Sequence, residues 1–477
     1  MVLRFVWCGD DDMNIPITSD DLSRIDKLSL DREGADPREA GRRRAARGLD
    51  IVIGNDVAAS WILQLALLTA VNLGVKCFGR AKVHARASDV WSAPCRLPWS
   101  ESRTLRDAIS KLGGTPVVWG GVPPEQAFVV LGDDYAEGRA IRATYDGWLI
   151  SVGPAREVPR MRERPYCPLA GIGAAALAMS EIFAEFAGIS VAAARRTLHL
   201  SLWRPDAPKS EDAVGEPLGE LPGSWAVFGL GHLGQAYLWA LAGLPYELRE
   251  DVLILLCDDD RVAPPNIETG ALLAPGSRGL KTRVAAEWLE TRGFQTQLLE
   301  RRVDENFRRT QKEPVIALAG FDDNHARHWL SEARFERIFD SGLGGEVANF
   351  DTIAFHTFPN PRTAGELWLV APPDAPDFRA VRAQHLAKNN ARYQALDAEE
   401  CGRLLLAGQS IAVPFVGAIA ACVVVSESLK TLSGGPTYYD LTLRIESLAG
   451  EGVVGRMAHD RTPPIRGLSA RRAKPVT

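Results

Sequence analysis

The sequence predicts an α/β protein of two tandem units, each with a mostly parallel sheet covered by helices. Three observations predict it. Short apolar runs that stop at glycine precede helical patterns, as in Asp50 to Gly54 before Trp61 to Val75, and Trp225 to Gly229 before Leu233 to Leu244. A set of turn and helix-end residues recurs: Gly54, Asp133-Asp134, Gly153, Pro168, Gly171, Glu181 and Gly188 return as Gly229, Asp322-Asp323, Gly342, Pro414, Gly417, Glu427 and Gly434. Several steps agree, with 19 positions from Asp134 to Gly153 and from Asp323 to Gly342, and 13 from Pro168 to Glu181 and from Pro414 to Glu427. Finally, 477 residues exceed what one ordinary core organises.

In chain order, residues 1–48 are a polar, arginine-rich lead-in, expected to be helical with a loose start. Residues 49–204 form the first unit, with further strands at Ala127 to Leu131 and Trp148 to Val152 and a small-residue helix from Pro168 to Gly188. Prolines, glycines and acids cluster without apolar periodicity over 205–222, which reads as a linker. Residues 223–457 form the second unit, with strands at Val252 to Cys257, Pro314 to Ala319 and Ile338-Phe339. Gly342 to Pro414 steps 72 positions where Gly153 to Pro168 steps 15, so about 57 residues are added at one place, the segment 345–412. Within it, Phe378 to Glu400 has a polar helical pattern. The basic, proline-containing stretch 458–477 is expected to be a mobile tail.

Composition narrows the function classes. With 46% apolar and 24% charged residues and a net charge of -5, the chain reads as globular and lacks the basic excess of a dedicated nucleic-acid binder. Seven cysteines at 8, 77, 95, 167, 257, 401 and 422 include no C-x-x-C pair, which argues against a disulfide framework and a four-cysteine zinc site. No secretory signal is read at the start. The longest apolar runs are interrupted by Gln64, Asn72, Ser180, Glu181 and Pro414, fall short of the ~20 residues that span a bilayer, and read as buried helices. The expectation is a cytoplasmic protein without a membrane partner.

The chemistry concentrates in the second unit. Gly229-x-Gly231-x-x-Gly234 lies between an apolar strand and a helix, where absent side chains and unpaired helix N–H groups admit phosphates. The first unit has Gly54-Asn55-Asp56-Val57-Ala58-Ala59 there instead. Asp258-Asp259-Asp260 closes the next strand, where a carboxylate can accept from ribose hydroxyls, although three acids at a strand end also suit a solvated corner. Asn266 and Lys281 follow as donors for a triphosphate. Asp323, in Gly320-Phe321-Asp322-Asp323-Asn324, suits a magnesium ion. A dehydrogenase shares the glycine loop but needs none of these partners.

In these motifs the chain resembles the superfamily of ubiquitin-activating enzymes and their bacterial relatives ThiF and MoeB. The resemblance rests on Gly229 to Gly234, Asp258-x-Asp260-x-Val262-x-x-x-Asn266, Lys281, Asp323-Asn324-x-x-Arg327 and Pro414-x-x-Gly417 with Glu427, across most of residues 222–436. It implies two Rossmann-like ThiF-type domains in an internal pseudo-dimer, the first inactive and the second adenylating the C-terminal glycine of a ubiquitin-like protein with Mg-ATP. On that resemblance Gly229, Gly231 and Gly234 approach the phosphates, Asp258 and Asp260 hold the ribose side, Asn266 and Lys281 contact phosphates, Asn324 belongs to the ATP site, and Asp323 binds Mg²⁺. Thr269 stands where the family usually has an arginine, which leaves Arg278 or a first-domain arginine to supply the charge, with Arg24 and Arg32 as candidates. The zinc-binding cysteine pairs of many bacterial relatives are missing, so no zinc is expected.

Cys401, 13 positions before Pro414 and among Glu399, Glu400 and Arg403, is the candidate catalytic nucleophile. Its thiolate would take the acyl group from the adenylate and pass it to a conjugating carrier enzyme. The single-chain, double-domain form is similar to the activating enzymes of bacterial antiviral conjugation systems. Two alternatives stay open at this level: adenylation alone, of a sulfur-carrier protein or peptide, and a decayed nucleotide-binding scaffold.

Overall fold

In the computed structural model, the described residues are 23–33, 36–97, 102–120, 124–133, 137–368, 378–395, 404, 407–450 and 452–474. The first unit runs α1 (Asp26–Glu33), α2 (Pro37–Arg47), β1 (Leu49–Ile53), α3 (Trp61–Phe78), β2 (Ala81–Ala85), α4 (Leu105–Lys111), β3 (Gly114–Val118), β4 (Phe128–Leu131), β5 (Ala140–Asp146), β6 (Leu149–Pro154), α5 (Leu169–Phe186) and β7 (Leu198–Ser201). After β8 (Glu220–Pro222), the second unit runs β9 (Ser224–Phe228), α6 (His232–Ala242), β10 (Leu253–Cys257), α7 (Pro264–Thr269), α8 (Lys281–Glu290), β11 (Gln295–Leu299), β12 (Ile316–Ala319), α9 (Asn324–Ser331), β13 (Arg337–Leu343) and β14 (Thr352–Phe358). It continues with α10 (Ala364–Leu367), α11 (Phe378–Asn389), α12 (Ala391–Ala395), α13 (Pro414–Ser433), β15 (Thr437–Arg444), β16 (Val453–His459) and β17 (Ala470–Arg472).

Among the described residues the two sheets have one topology. The first is ordered β3-β2-β1-β4-β5-β6-β7, the second β11-β10-β9-β12-β13-β14-β15 with β16 added at its edge. In both, the first five strands pair in parallel and the next pairings are antiparallel. This is a two-domain ThiF-like α/β architecture. The central parallel strands β1, β4, β9, β10 and β12 are apolar on both faces because helices cover both.

The matched spacing misaligns one landmark. Gly342 lies on β13, the counterpart of β5, whereas Gly153 lies on β6, the counterpart of β14. The equal 19-residue steps are therefore coincidental, and the second unit departs from the first at two places. One is α9, which has no counterpart among the described residues between Leu131 and Ala140; the other separates Phe358 from Pro414.

The mobile-tail expectation is corrected. Ala470–Arg472 pairs antiparallel with Glu220–Pro222, inside the stretch read as a linker, and Ala473 bridges to Tyr246. Adjacent arginines, which carry no period-two apolar pattern, concealed a strand whose ladder satisfies its backbone.

The membrane expectation is corrected too. α3, α5 and α13 run 18, 18 and 20 residues and are long and apolar enough to cross a bilayer by length and composition. The sequence reading cut these runs at Gln64, Asn72 and Ser180, which the helices simply bury. In the fold the three are almost wholly covered by protein. α3 packs on α5, α5 on α13 and α13 on α6, so that the two units meet along apolar helices. Helices apolar all round occur in large cores and in membranes alike. The finding overturns both the cytoplasmic assignment and the exclusion of a membrane partner.

Candidate nucleotide site

β9 ends at Phe228, and Gly229 turns the chain with φ 77°, a conformation open to glycine. A Cβ on Gly234 would lie 1.9 Å from the Gly229 oxygen, so loop and helix touch there and only glycine fits. A Cβ on Gly231 would meet nothing within 4 Å. The loop is thus tight on its inner side and open on its outer side, where α6 begins with no side chain capping it. That opening fits a phosphate group.

Asp258 ends β10 beneath the loop. Its carboxylate accepts from the Leu230 amide at 2.6 Å and the Asp260 amide at 2.8 Å, so both oxygens hold backbone. Burial pushes its carboxyl up, and Lys281, 3.9 Å away, opposes the shift. Lys281 opens α8 and pairs with the exposed Asp260 at 2.6 Å. Asn266 lies in α7 and its side-chain oxygen accepts from the Ala263 amide at 2.9 Å. Gln235 of α6 joins these parts, donating to the Leu230 carbonyl at 3.2 Å and accepting from the Leu272 amide at 3.2 Å.

Gly320 lies against the loop, since a Cβ on Gly229 would be 3.0 Å from its oxygen. Asp323 follows, exposed, and caps α9 by accepting from the His325 amide at 2.8 Å. Asn324 begins that helix. Asp258, Asp259 and Asp260 bring their carboxylate oxygens within 4.8 Å of one another, a hard-oxygen set of the kind that suits magnesium. The glycine loop, Asp258, Asp260 and Lys281 are therefore joined through the Leu230 amide and the Asp258 carboxylate, and Gly320, three positions before Asp323, lies against Gly229. Cys401 lies outside the described residues.

Sequence reasoning passed over Gln235, Asp340 and His232, and named Arg327 in a motif without giving it a role. Arg327 donates to the Phe321 and Ser341 carbonyls and pairs with the buried Asp340 at 3.3 Å, pinning the loop that bears Asp323; Gly342 leaves room for it. Gln235 and Asp340 carried no motif signal. His232, at the start of α6, lies against Gly417 with its Nε2 sealed from solvent and unbonded. Burial, reinforced by Arg24, pulls its pKa down to about 4. Arg24 therefore sits beside the glycine loop and faces Asp322 as well. Arg32 instead donates to the Ala187 and Gly188 carbonyls at the end of α5. Arg278 is exposed on the loop before α8.

In the first unit the corresponding space is filled. The Asp56 carboxylate accepts from the Asp133 amide at 2.8 Å and pairs with Arg160. A Cβ on either Gly54 or Gly132 would strike it. α3 starts under a Ser60 cap, whose oxygen accepts from the Leu63 amide at 3.3 Å.

Comparison with known proteins bears on this pair of units directly. Residues 48–202 match the BilD N-terminal domain and residues 221–435 the BilD C-terminal domain. The bacterial E1-like protein BilD of Collimonas sp. (strain OK412) is 36% identical over 442 residues, covering 89% of this chain and 92% of the relative. The chain belongs to the BilD family of E1-like proteins. This family assignment carries ATP-dependent, adenylyltransferase-type enzymatic chemistry. It also carries general use of ATP and Mg²⁺ by the BilD-family chain. Among solved structures, E. coli tRNA N6-threonylcarbamoyladenosine dehydratase TcdA matches with a TM-score of 0.29 at 17% identity, over 44% of this chain and 86% of its own. E. coli MccB with MccA-N7isoASN matches at 0.32 and 11% identity, over 52% of this chain and 66% of its own. Likenesses this low carry no argument.

Proposed function

We propose that the second unit binds Mg-ATP and adenylates the C-terminal glycine of a ubiquitin-like protein, that Cys401 takes the acyl group as a thioester, and that a conjugating carrier enzyme receives it. The terminal carboxylate of the ubiquitin-like protein attacks the α-phosphorus and pyrophosphate leaves. The Cys401 thiolate then attacks the acyl carbon and AMP leaves, a good leaving group for a soft nucleophile. Gly229, Gly231 and Gly234 face the phosphates in this reading, with the α6 amides as donors. Asp258 shapes the loop, and Asp260 is the freer of the two for ribose. Lys281 exchanges its carboxylate partner for phosphate, Asn266 and Asn324 line the site, and Asp323 holds magnesium. Arg24 adds a cation from the lead-in where Thr269 has none.

One contrast carries the reading: an open Gly231 at an uncapped helix start in the second unit, against Asp56 and a Ser60 cap in the first. The Asp56 side chain occupies the space by the first unit's turn that Gly231 leaves open in the second, which supports the second unit as the catalytic one. The test incubates the full chain with Mg-ATP and a candidate ubiquitin-like protein ending in glycine. Intact mass should rise by the carrier's mass through a bond that thiols cleave. Cys401→Ala should lose that adduct yet still exchange pyrophosphate into ATP. An adduct that persists in the variant refutes the thioester on Cys401, and absence of exchange in the parent chain with its cognate carrier refutes the adenylation.

A further inference from the structure

The strip of second-unit backbone behind Asn266 is held by side chains of the first unit. Lys76, near the end of α3, donates from Nζ to the Ile267 carbonyl at 2.7 Å and to the Leu273 carbonyl at 2.8 Å. One turn earlier, the buried Asn72 donates to the Ala271 carbonyl at 2.9 Å. Arg44 of α2 contacts Glu268 at 3.4 Å, while Asp26 and the Cys77 carbonyl fix its guanidinium. Four carbonyls or carboxylates between 267 and 273 are thus engaged by three side chains from another unit.

The strip has little of its own to hold it. α7 spans only Pro264–Thr269, and Thr269 is buried with its hydroxyl donating back to the Pro265 carbonyl. Beyond it, Gly270 presses on Gln235, where a Cβ would lie 2.3 Å from the amide oxygen. Gln235 passes the constraint to the glycine loop through the Leu230 carbonyl. A helix this short is not self-supporting. Charge-assisted donors on its carbonyls fix where Asn266 points and where Gln235 can stand.

We propose that Lys76 and Asn72 of the first unit are positioning residues for nucleotide binding by the second, acting by holding residues 267–273 against Gln235 and the glycine loop. They touch no substrate. The first unit, though its own cleft is filled, thereby sets the affinity of the second. This rests on the second unit binding ATP, as proposed above.

Lys76→Met keeps the aliphatic stem and removes both bonds; Asn72→Leu does the same for the third; Lys76→Arg retains the charge. The full-length chain is titrated with a fluorescent ATP analogue and Mg²⁺, which needs no carrier protein, and amide hydrogen exchange is followed on the same samples. Lys76→Met should weaken nucleotide binding about tenfold or more and speed exchange at Gly270 and Leu272, with exchange at β1 and β9 unchanged. Asn72→Leu should move both readouts the same way by less, and Lys76→Arg should recover most of the affinity. If Lys76→Met unfolds, Asn72→Leu decides. Parent-like affinity in a folded variant overturns the inference, whether or not exchange at the strip speeds up. A parent chain that binds no nucleotide overturns the earlier reading instead.

Discussion

The glycine loop separates two uses of one residue type. At Gly234 the missing Cβ lets helix and loop touch, while at Gly231 it leaves open space. Gly234→Ala should therefore cost stability, with a lower thermal midpoint. Gly231→Ala should leave the midpoint within about a degree, because nothing is near to clash, yet weaken Mg-ATP binding about tenfold by filling the approach. Equal effects of both on stability would contradict this division. His232, between them, predicts a pH dependence. Its folded pKa of about 4 lies below the ordinary value of 6.5. Between those values the unfolded chain takes up a proton that the folded chain refuses. The contribution is complete above pH 6.5 and lost as pH falls through 4, amounting to at most about 3 kcal/mol. His232 as a whole residue is only half-buried, which reduces it. His232→Asn should flatten that limb of the stability curve in urea titrations; an unchanged acid slope would show that the imidazole does not carry it.

At the scale of elements, α13 shows what the sequence disclosed and what it hid. Its start at Pro414 and stop at Gly434 were legible from helix-end chemistry, and Glu427 was legible as a repeat of Glu181. Its partner was not. Glu427 and Lys430 pair while wholly buried, Lys430 donates to the Trp203 carbonyl at 3.2 Å, and Glu427 accepts from the Tyr438 amide at 3.1 Å. Burial pushes the carboxyl up and the ammonium down, and their mutual attraction opposes both. Lys430→Met strands a carboxylate in apolar surroundings and should cost about 3–5 kcal/mol. Adding Glu427→Gln should return most of it, as a urea-melt double-mutant cycle would reveal; single and double variants of equal stability would mean the pair is not coupled. The strands split in the same way. β1, β4, β9, β10 and β12 are apolar runs and could be read directly. β11, exposed and rich in glutamine, and β14 to β16, paired antiparallel with one polar face, carry no such run. The site divides likewise. Glycines and acids sit in motifs, whereas Lys76 and Gln235 lie inside helices where sequence offers no reason to single them out, and Asn72 showed only as a polar break in an apolar run.

For the whole molecule, the question is whether the two units are separable. Trp239 of α6 donates to Thr69 of α3 at 3.1 Å, the Cys422 thiol meets the Leu169 carbonyl at 3.4 Å, and Gly243 lies against Leu65 and Ile172. One continuous apolar core takes residues from both sheets and from all four central helices. β17 then returns the end of the described chain to β8, closing the passage between units. An isolated second unit would bare the faces of α6 and α13, which no polar pattern relieves, so residues 218–474 expressed alone should aggregate. Intact protein should unfold in a single calorimetric transition, its van't Hoff and calorimetric enthalpies agreeing. Nucleotide supplies the sharper discrimination. Ligand at about 100 times its Kd adds about 2.7 kcal/mol to whatever unfolds with the site. If Lys76 and Asn72 join the site to the first unit, Mg-ATP should move the whole transition upward without splitting it. Two resolved peaks, only the upper one shifting with nucleotide, would mean that the first unit melts away from a site it does not support.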